Sequence, residues 1–221
     1  MSYQSGLFLF FAAGVTAGYY VFGAINKKLQ KYLLLAANVV FIAYNGAKYL
    51  PFLAVTMLAS FFAAKYIAKC YRAEKELLAS CTDKEEKKAV RAQAKAKAKR
   101  GLVAALIITI GLLAVCKYTN FAIETLNAVL KKAGVKQLST FSLILPLGIS
   151  FYTFMAVGYV LDVYWKRYEA EEKFIPYAVF LSYFPHLVQG PIDRYGVMRE
   201  AINNGASFNW DNIITNDGRE Y

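Results

Sequence analysis

The chain has 221 residues, 57% of them hydrophobic, with a mean hydropathy of +0.33 and a net charge of +11. That apolar share lies well above the roughly 45–50% of a soluble domain, which argues against a water-soluble globule. A charge of this size in a soluble protein would suggest nucleic acid, but here the basic residues sit between apolar stretches in alternate connections, so nucleic acid is excluded as the expected partner.

A bilayer core takes about 20 mostly apolar residues per helical crossing. The first such stretch runs from Leu7 to Ile25 without a charge. The preceding MSYQSG is uncharged and the lysines follow the stretch, so it reads as a retained helix, with a cleaved signal peptide as the weaker alternative. A second stretch covers Tyr32 to Ala47 and a third Tyr49 to Ile67, parted by Asn45, Gly46, Lys48 and Pro51. They are expected to form a tight helical hairpin.

From Lys65 to Arg100 the composition turns to alanine, lysine and glutamate, all good helix formers. This predicts a helical hairpin outside the bilayer over residues 68–100, its limbs extending the third and fourth membrane helices. Thr82 and Glu85 have capping-box spacing and are expected to start the second limb. The AKAKAKR run is either a solvated face that fixes topology or a surface lying on anionic headgroups.

A fourth stretch, Gly101 to Cys116, continues into KYTNF, and an outer loop is expected from Glu124 to Lys136. Lys27, Lys28 and Lys31, the Lys65–Arg100 region, and Lys166 with Arg167 all fall in alternate loops. The positive-inside rule then places the amino terminus outside and the long basic loop in the cytoplasm of a multi-pass cell-membrane protein, although Lys131, Lys132 and Lys136 run against the pattern.

The fifth stretch, Phe141 to Trp165, is interrupted near its start by Pro146 and Gly148. It carries Asp162 four residues before Lys166, and Tyr152 is placed among its channel-lining residues. An ionisable residue within a membrane is costly and usually faces a bundle interior or a wet cavity. Asp162 therefore either borders a channel or pairs simply with Lys166 or Arg167 at the interface.

The sixth stretch, Phe174 to Ile192, contains Pro185, Gly190 and Pro191, which are incompatible with one continuous helix. Irregular backbone is tolerated at membrane depth only where protein or water satisfies it. A broken or re-entrant helix bearing His186, Gln189, Asp193 and Arg194 thus predicts an internal polar cavity. His186 is the only histidine. It is a candidate general base without a dedicated partner nucleophile, or a hydrogen-bonding residue at the break. Arg194 either binds an anionic group or anchors at the interface. Beyond Ile192 the chain is polar, and Asn203, Asn204 and Gly205 read as a turn before a short amphipathic segment ending in FNWDNII.

The three cysteines, Cys70, Cys81 and Cys116, lack metal-ligand spacing, so no metal site and no cofactor is expected. Acylation of Cys70 or Cys81 near the inner interface is a minor alternative to a plain packing role. The fold class expected is all-α: one polytopic membrane domain over residues 1–221, with about five to six membrane segments.

LPLGISFYTFMAVGYVLDVYWKR followed by YFPHLVQGPIDRY, with KYTNF upstream, resembles the signature region of the membrane-bound O-acyltransferases (MBOAT), in the bacterial branch of alginate O-acetyltransferases and the teichoic acid D-alanyl transfer protein. The resemblance reaches from the first helix to about Ile214. It implies a ring of tilted helices around a tunnel. It also implies transfer of an acyl group from a thioester donor, such as acyl coenzyme A or an acyl carrier protein, to a hydroxyl of an envelope polysaccharide or polyol. The family's catalytic histidine activates that hydroxyl and lies downstream of the GPIDR motif. His186 occupies a position that the family often fills with glutamine, so the catalytic role does not transfer to it. The sequence ends at Tyr221 in TNDGREY, and the chain is expected to be a truncated amino-terminal portion, inactive alone. The competing classes are a transporter or flippase-like component with a substrate path at the broken helix, and a membrane scaffold that docks an acidic carrier protein on its basic hairpin.

Overall fold

A computed structural model describes residues 6–132, 146–189 and 192–205. These form eight α-helices and no strand. Helix α1 is Gly6–Ile25 and α2 is Lys27–Gly46. Asn26 turns the chain between them, its side-chain oxygen accepting from the Lys28 N–H at 2.9 Å as an N-cap. Gly46, at φ 145°, then permits a short 3-10 turn over Ala47–Tyr49 before α3, Leu50–Ser80, begins with Pro51 in its first turn.

The expected tight pairing of the second and third stretches is not formed. Helix α2 packs on α1 and α6, whereas α3 packs on α4 (Lys84–Lys132) and on α5 (Ile149–Tyr164). The reason lies in the faces. Buried positions on α4 fall at Ala94, Ala98, Leu102, Ala105 and Thr109. This stripe of mostly small residues at three- and four-residue spacing lets α3 approach closely, with Tyr66 and Ile67 of α3 against Gly101, while Ser60 and Phe61 of α3 meet Tyr177 of α6.

Residues 68–100 form a helical hairpin that turns at Cys81–Asp83. Its start differs in detail. The Asp83 carbonyl accepts from the Lys87 N–H at 3.2 Å, so Asp83, not Thr82, takes the N-cap position. The predicted outer loop is also helical as far as it is described, because α4 runs on to Lys132. Its 49 residues give a length of roughly 74 Å, more than twice the hydrocarbon thickness of about 30 Å.

Three helical stretches are long and apolar enough to cross a membrane: α1, the run Lys27–Ser80, and α4; α5 is a shorter apolar helix. Leu9, Phe10, Phe62, Ile107 and Phe121 are exposed on them. A large apolar exterior suits a surface solvated by lipid.

The remaining elements are α6 (Phe174–Ser182), α7 (Phe184–Gln189) and α8 (Tyr195–Asn204). The expected turn at Asn203 and Asn204 is instead the last turn of α8, closed by Gly205. FNWDNII, the start of the fifth stretch at Phe141, and Gly190 and Pro191 lie outside the described residues.

Candidate functional site

The sixth apolar stretch is broken. Pro176 lies within the first turn of α6, where a missing N–H costs least, while Pro185 comes one residue into α7. The helix stops at Ser182, and Tyr183 takes an extended ψ of 109°. Polar groups freed at such a break need partners at membrane depth. Asn38, wholly buried on α2, supplies them. Its Oδ1 accepts from the Phe184 N–H at 3.1 Å, and its Nδ2 donates to Ser182 Oγ at 3.1 Å and to the Val179 carbonyl at 3.4 Å.

The chain also doubles back after this stretch. Residues 165–173 connect α5 to α6, and α8 returns to that same connection. The Tyr195 hydroxyl donates to Glu171 Oε2 at 2.7 Å, and Arg199 lies 3.5 Å from the same carboxylate. At the other end of the excursion α7 meets the start of α5. Gly148 adopts a left-handed φ of 71°, and a Cβ there would lie 2.7 Å from the Leu187 carbonyl oxygen. Glycine is needed at this position twice over, for backbone angle and for space.

Two polar centres flank the excursion. At the first, Asp162 is buried and accepts from Arg167 Nη1 at 2.9 Å, while Arg194 Nη1 lies 3.5 Å from the same oxygen. The Tyr168 hydroxyl is 3.4 Å from the other oxygen. Both guanidiniums are largely exposed, so Asp162 is a buried anion gripped from the wet side. Of the two ion-pair partners expected from sequence, Arg167 makes the contact. Lys166 turns instead to Glu74 on α3, at 2.9 Å, because its positive φ of 59° ends α5 and swings it towards the hairpin.

At the second centre His186 Nε2 lies 3.2 Å from Asp193 Oδ2. The histidine ring is buried edge-on to Tyr183. With Nε2 donating to the carboxylate, Nδ1 is the acceptor of the neutral imidazole, and it has no partner among the described residues. The Tyr152 hydroxyl and Thr153 Oγ1 are likewise buried and unpartnered among them. Buried polar atoms are normally satisfied, so unpaired ones mark where a ligand or water belongs. The fold thus joins Asp162 to Arg194 and His186 to Asp193. The Tyr152 hydroxyl bonds to neither pair among the described residues, and the Gln189 side chain lies outside them.

Glu171 was missed from the sequence. It is buried in the connection between α5 and α6, where it receives Tyr195, Arg199 and the Lys173 N–H at 3.1 Å. Burial alone would raise its pKa, but these donors and the Arg199 charge outweigh it, and the carboxyl is held below its ordinary range. Asn38 had a legible signal, a lone amide in the middle of an apolar run.

Known proteins share much of this sequence. Over 205 residues, 92% of the chain, it is 29% identical to "Probable alginate O-acetylase AlgI" of Pseudomonas aeruginosa, of which the match covers 35%. The chain is thus similar to a named O-acetylase along nearly all its length. It is also 27% identical to the peptidoglycan O-acetyltransferase of Helicobacter pylori, over 94% of its length and 40% of that relative. A shorter match to the Pseudomonas fluorescens alginate O-acetylase reaches 35% identity over 82 residues. The chain therefore spans between a third and two fifths of the length of the first two relatives. No family model matches it, and no solved structure does.

Proposed function

We propose that this chain forms the amino-terminal, substrate-path part of a membrane O-acyltransferase. The acyl group, of acetyl or D-alanyl type, comes from a thioester donor, acyl coenzyme A or an acyl carrier protein. It goes to a hydroxyl of a cell-envelope polysaccharide or polyol. The single observation that carries the reading is the excursion from Lys173 to Tyr195, in which buried His186 meets the half-exposed Asp193, in a chain similar to named O-acetylases along nearly all its length.

In this reading the amino terminus is outside, the basic hairpin is cytoplasmic, and the excursion opens towards the donor side. His186, Gln189, Asp193, Arg194, Asp162 and Tyr152 border the path. Transfer requires the acceptor oxygen to bond to the thioester carbonyl carbon, the thiolate to leave and a base to take the hydroxyl proton. His186 orients the path at the helix break, and the chemistry belongs to this region combined with the rest of such an enzyme.

The test is labelled acetyl transfer to envelope glycan by membranes carrying the chain alone, or joined to the remaining two thirds of the Pseudomonas aeruginosa relative. Label is expected only with the joined form, and His186→Gln in that form should retain most of it. Equal label from the chain alone, or complete loss in His186→Gln, would overturn the assignment. The scaffold reading keeps one observation of its own: Lys95, Lys97, Lys99 and Arg100 are all exposed on α4. Carrier-protein capture that survives neutralising these four would remove it.

A further inference from the structure

Helix α8 separates two hollows of opposite character. On one flank a cleft of about 650 Å³ is lined by Lys28 and Lys31 of α2, Lys173 of the α5–α6 connection, and Arg199 and Asn203 of α8, with Glu171 at its edge. On the other flank an apolar groove of about 440 Å³ runs between α1, the α6–α7 break and α8, with Phe8, Val15, Tyr19 and Tyr20 along one wall and Phe184 and Ile202 opposite. Leu34 lines the groove one turn beyond Lys31, and Met198 and Ile202 line it beside Arg199 and Asn203. The hollows therefore share the same two helices.

The charge in the cleft is unbalanced. Four cations surround one carboxylate, and Glu171 is already engaged by Arg199, the Tyr195 hydroxyl and the Lys173 N–H. Among the described residues the side chains of Lys28, Lys31 and Lys173 have no acidic partner. The groove has the complementary property: its walls are aromatic and aliphatic, and its hydroxyls, from Thr16, Tyr19, Tyr20 and Tyr183, are few for its length. Residues 8–20 of α1 extend it over roughly 18 Å, close to the roughly 15 Å that one leaflet contributes to the hydrocarbon core.

We propose that these hollows are the two halves of one binding site for an anionic phospholipid, from the leaflet at the end of the bundle that carries Lys28, Lys31 and Lys173. The phosphate occupies the cleft against Lys28, Lys31 and Arg199, and one acyl chain lies in the groove along α1. Basic pockets between membrane helices take anionic headgroups through charge-assisted hydrogen bonds, while the chain is held by apolar contact. A headgroup there ties α2 to α8, and through Glu171 and Tyr195 it steadies the base of the excursion.

The site is tested by placing the purified chain in nanodiscs of mixed phosphatidylglycerol and phosphatidylcholine and counting retained lipids by native mass spectrometry. Phosphatidylglycerol should be retained preferentially. Lys28→Gln and Lys31→Gln should each weaken that preference about fivefold at low salt. Ala12→Trp, which fills the groove but leaves the charges intact, should abolish retention. Circular dichroism establishes that each variant remains helical. Equal retention of both lipids, unchanged retention in the lysine pair or in a helical Ala12→Trp, or displacement of the lipid by millimolar inorganic phosphate would each overturn the proposal, the last by showing a free-anion site.

Discussion

The side-chain oxygen of Asn38 accepts the Phe184 N–H at 3.1 Å across 146 positions of sequence, so an amide on α2 holds open the break between α6 and α7. Asn38→Leu would leave that N–H unsatisfied at membrane depth and remove the Ser182 contact. A buried unsatisfied group costs about 1–3 kcal/mol, so thermal unfolding in detergent should fall by several degrees. Val39→Leu, at an exposed position of the same helix, should lose little; equal losses in both would show that the amide does not brace the break.

Asp162 has two guanidiniums, at 2.9 Å from Arg167 and 3.5 Å from Arg194. Either can neutralise it while the other is absent. Arg167→Ala and Arg194→Ala should therefore each cost about 1 kcal/mol or less. The double variant should cost about 3–5 kcal/mol, since it strands a buried charge. A double-mutant cycle in chemical denaturation measures the coupling, and simple additivity would mean that Asp162 is not shared.

Glu171 makes stability depend on acid. Its folded pKa lies below the ordinary value, so near pH 4 the unfolded chain binds more protons and stability rises with pH there. The contribution is complete above the unfolded pKa of about 4.3 and is lost as the pH falls through the depressed folded value. Melting temperatures taken from pH 7 down to pH 3 should drop more steeply for the natural chain than for Glu171→Gln. Parallel curves would contradict the assignment.

Gly148→Ala meets both the left-handed φ and the Leu187 carbonyl. Strain of about 1–3 kcal/mol is expected, and α7 must shift. Hydrogen exchange should show faster exchange at Phe184–Leu187 in the variant, whereas Gly158→Ala, with open space at its Cβ, should leave those amides unchanged.

Orientation is open to direct measurement. If the hairpin is cytoplasmic, a membrane-impermeant maleimide should label Cys81 at its turn only after permeabilisation, and a cysteine introduced at Leu126, exposed near the far end of α4, should react in intact cells. The reverse pattern would invert the topology.

Apolar length determined the helices of this protein, because about 20 residues without charge have few alternatives to a membrane helix. The break near Pro185 was determined locally too, because proline removes a donor wherever it stands. The hairpin over 68–100 followed from helix-forming composition, though its cap moved by one residue because Thr82 and Asp83 compete for the same role.

Tertiary structure alone decided who meets whom. Asp162 had several cations within reach in sequence, and only the end of α5 at Lys166, with its positive φ, sent Lys166 to Glu74 and left Asp162 to Arg167 and Arg194. The separation of α2 from α3, the return of α8 to Glu171 and the bracing of the break by Asn38 likewise join residues far apart in the chain. Hydropathy and propensity are properties of neighbours along the chain. Pairing in a low-dielectric interior is set by which helix faces pack, and that is fixed only when the whole bundle closes.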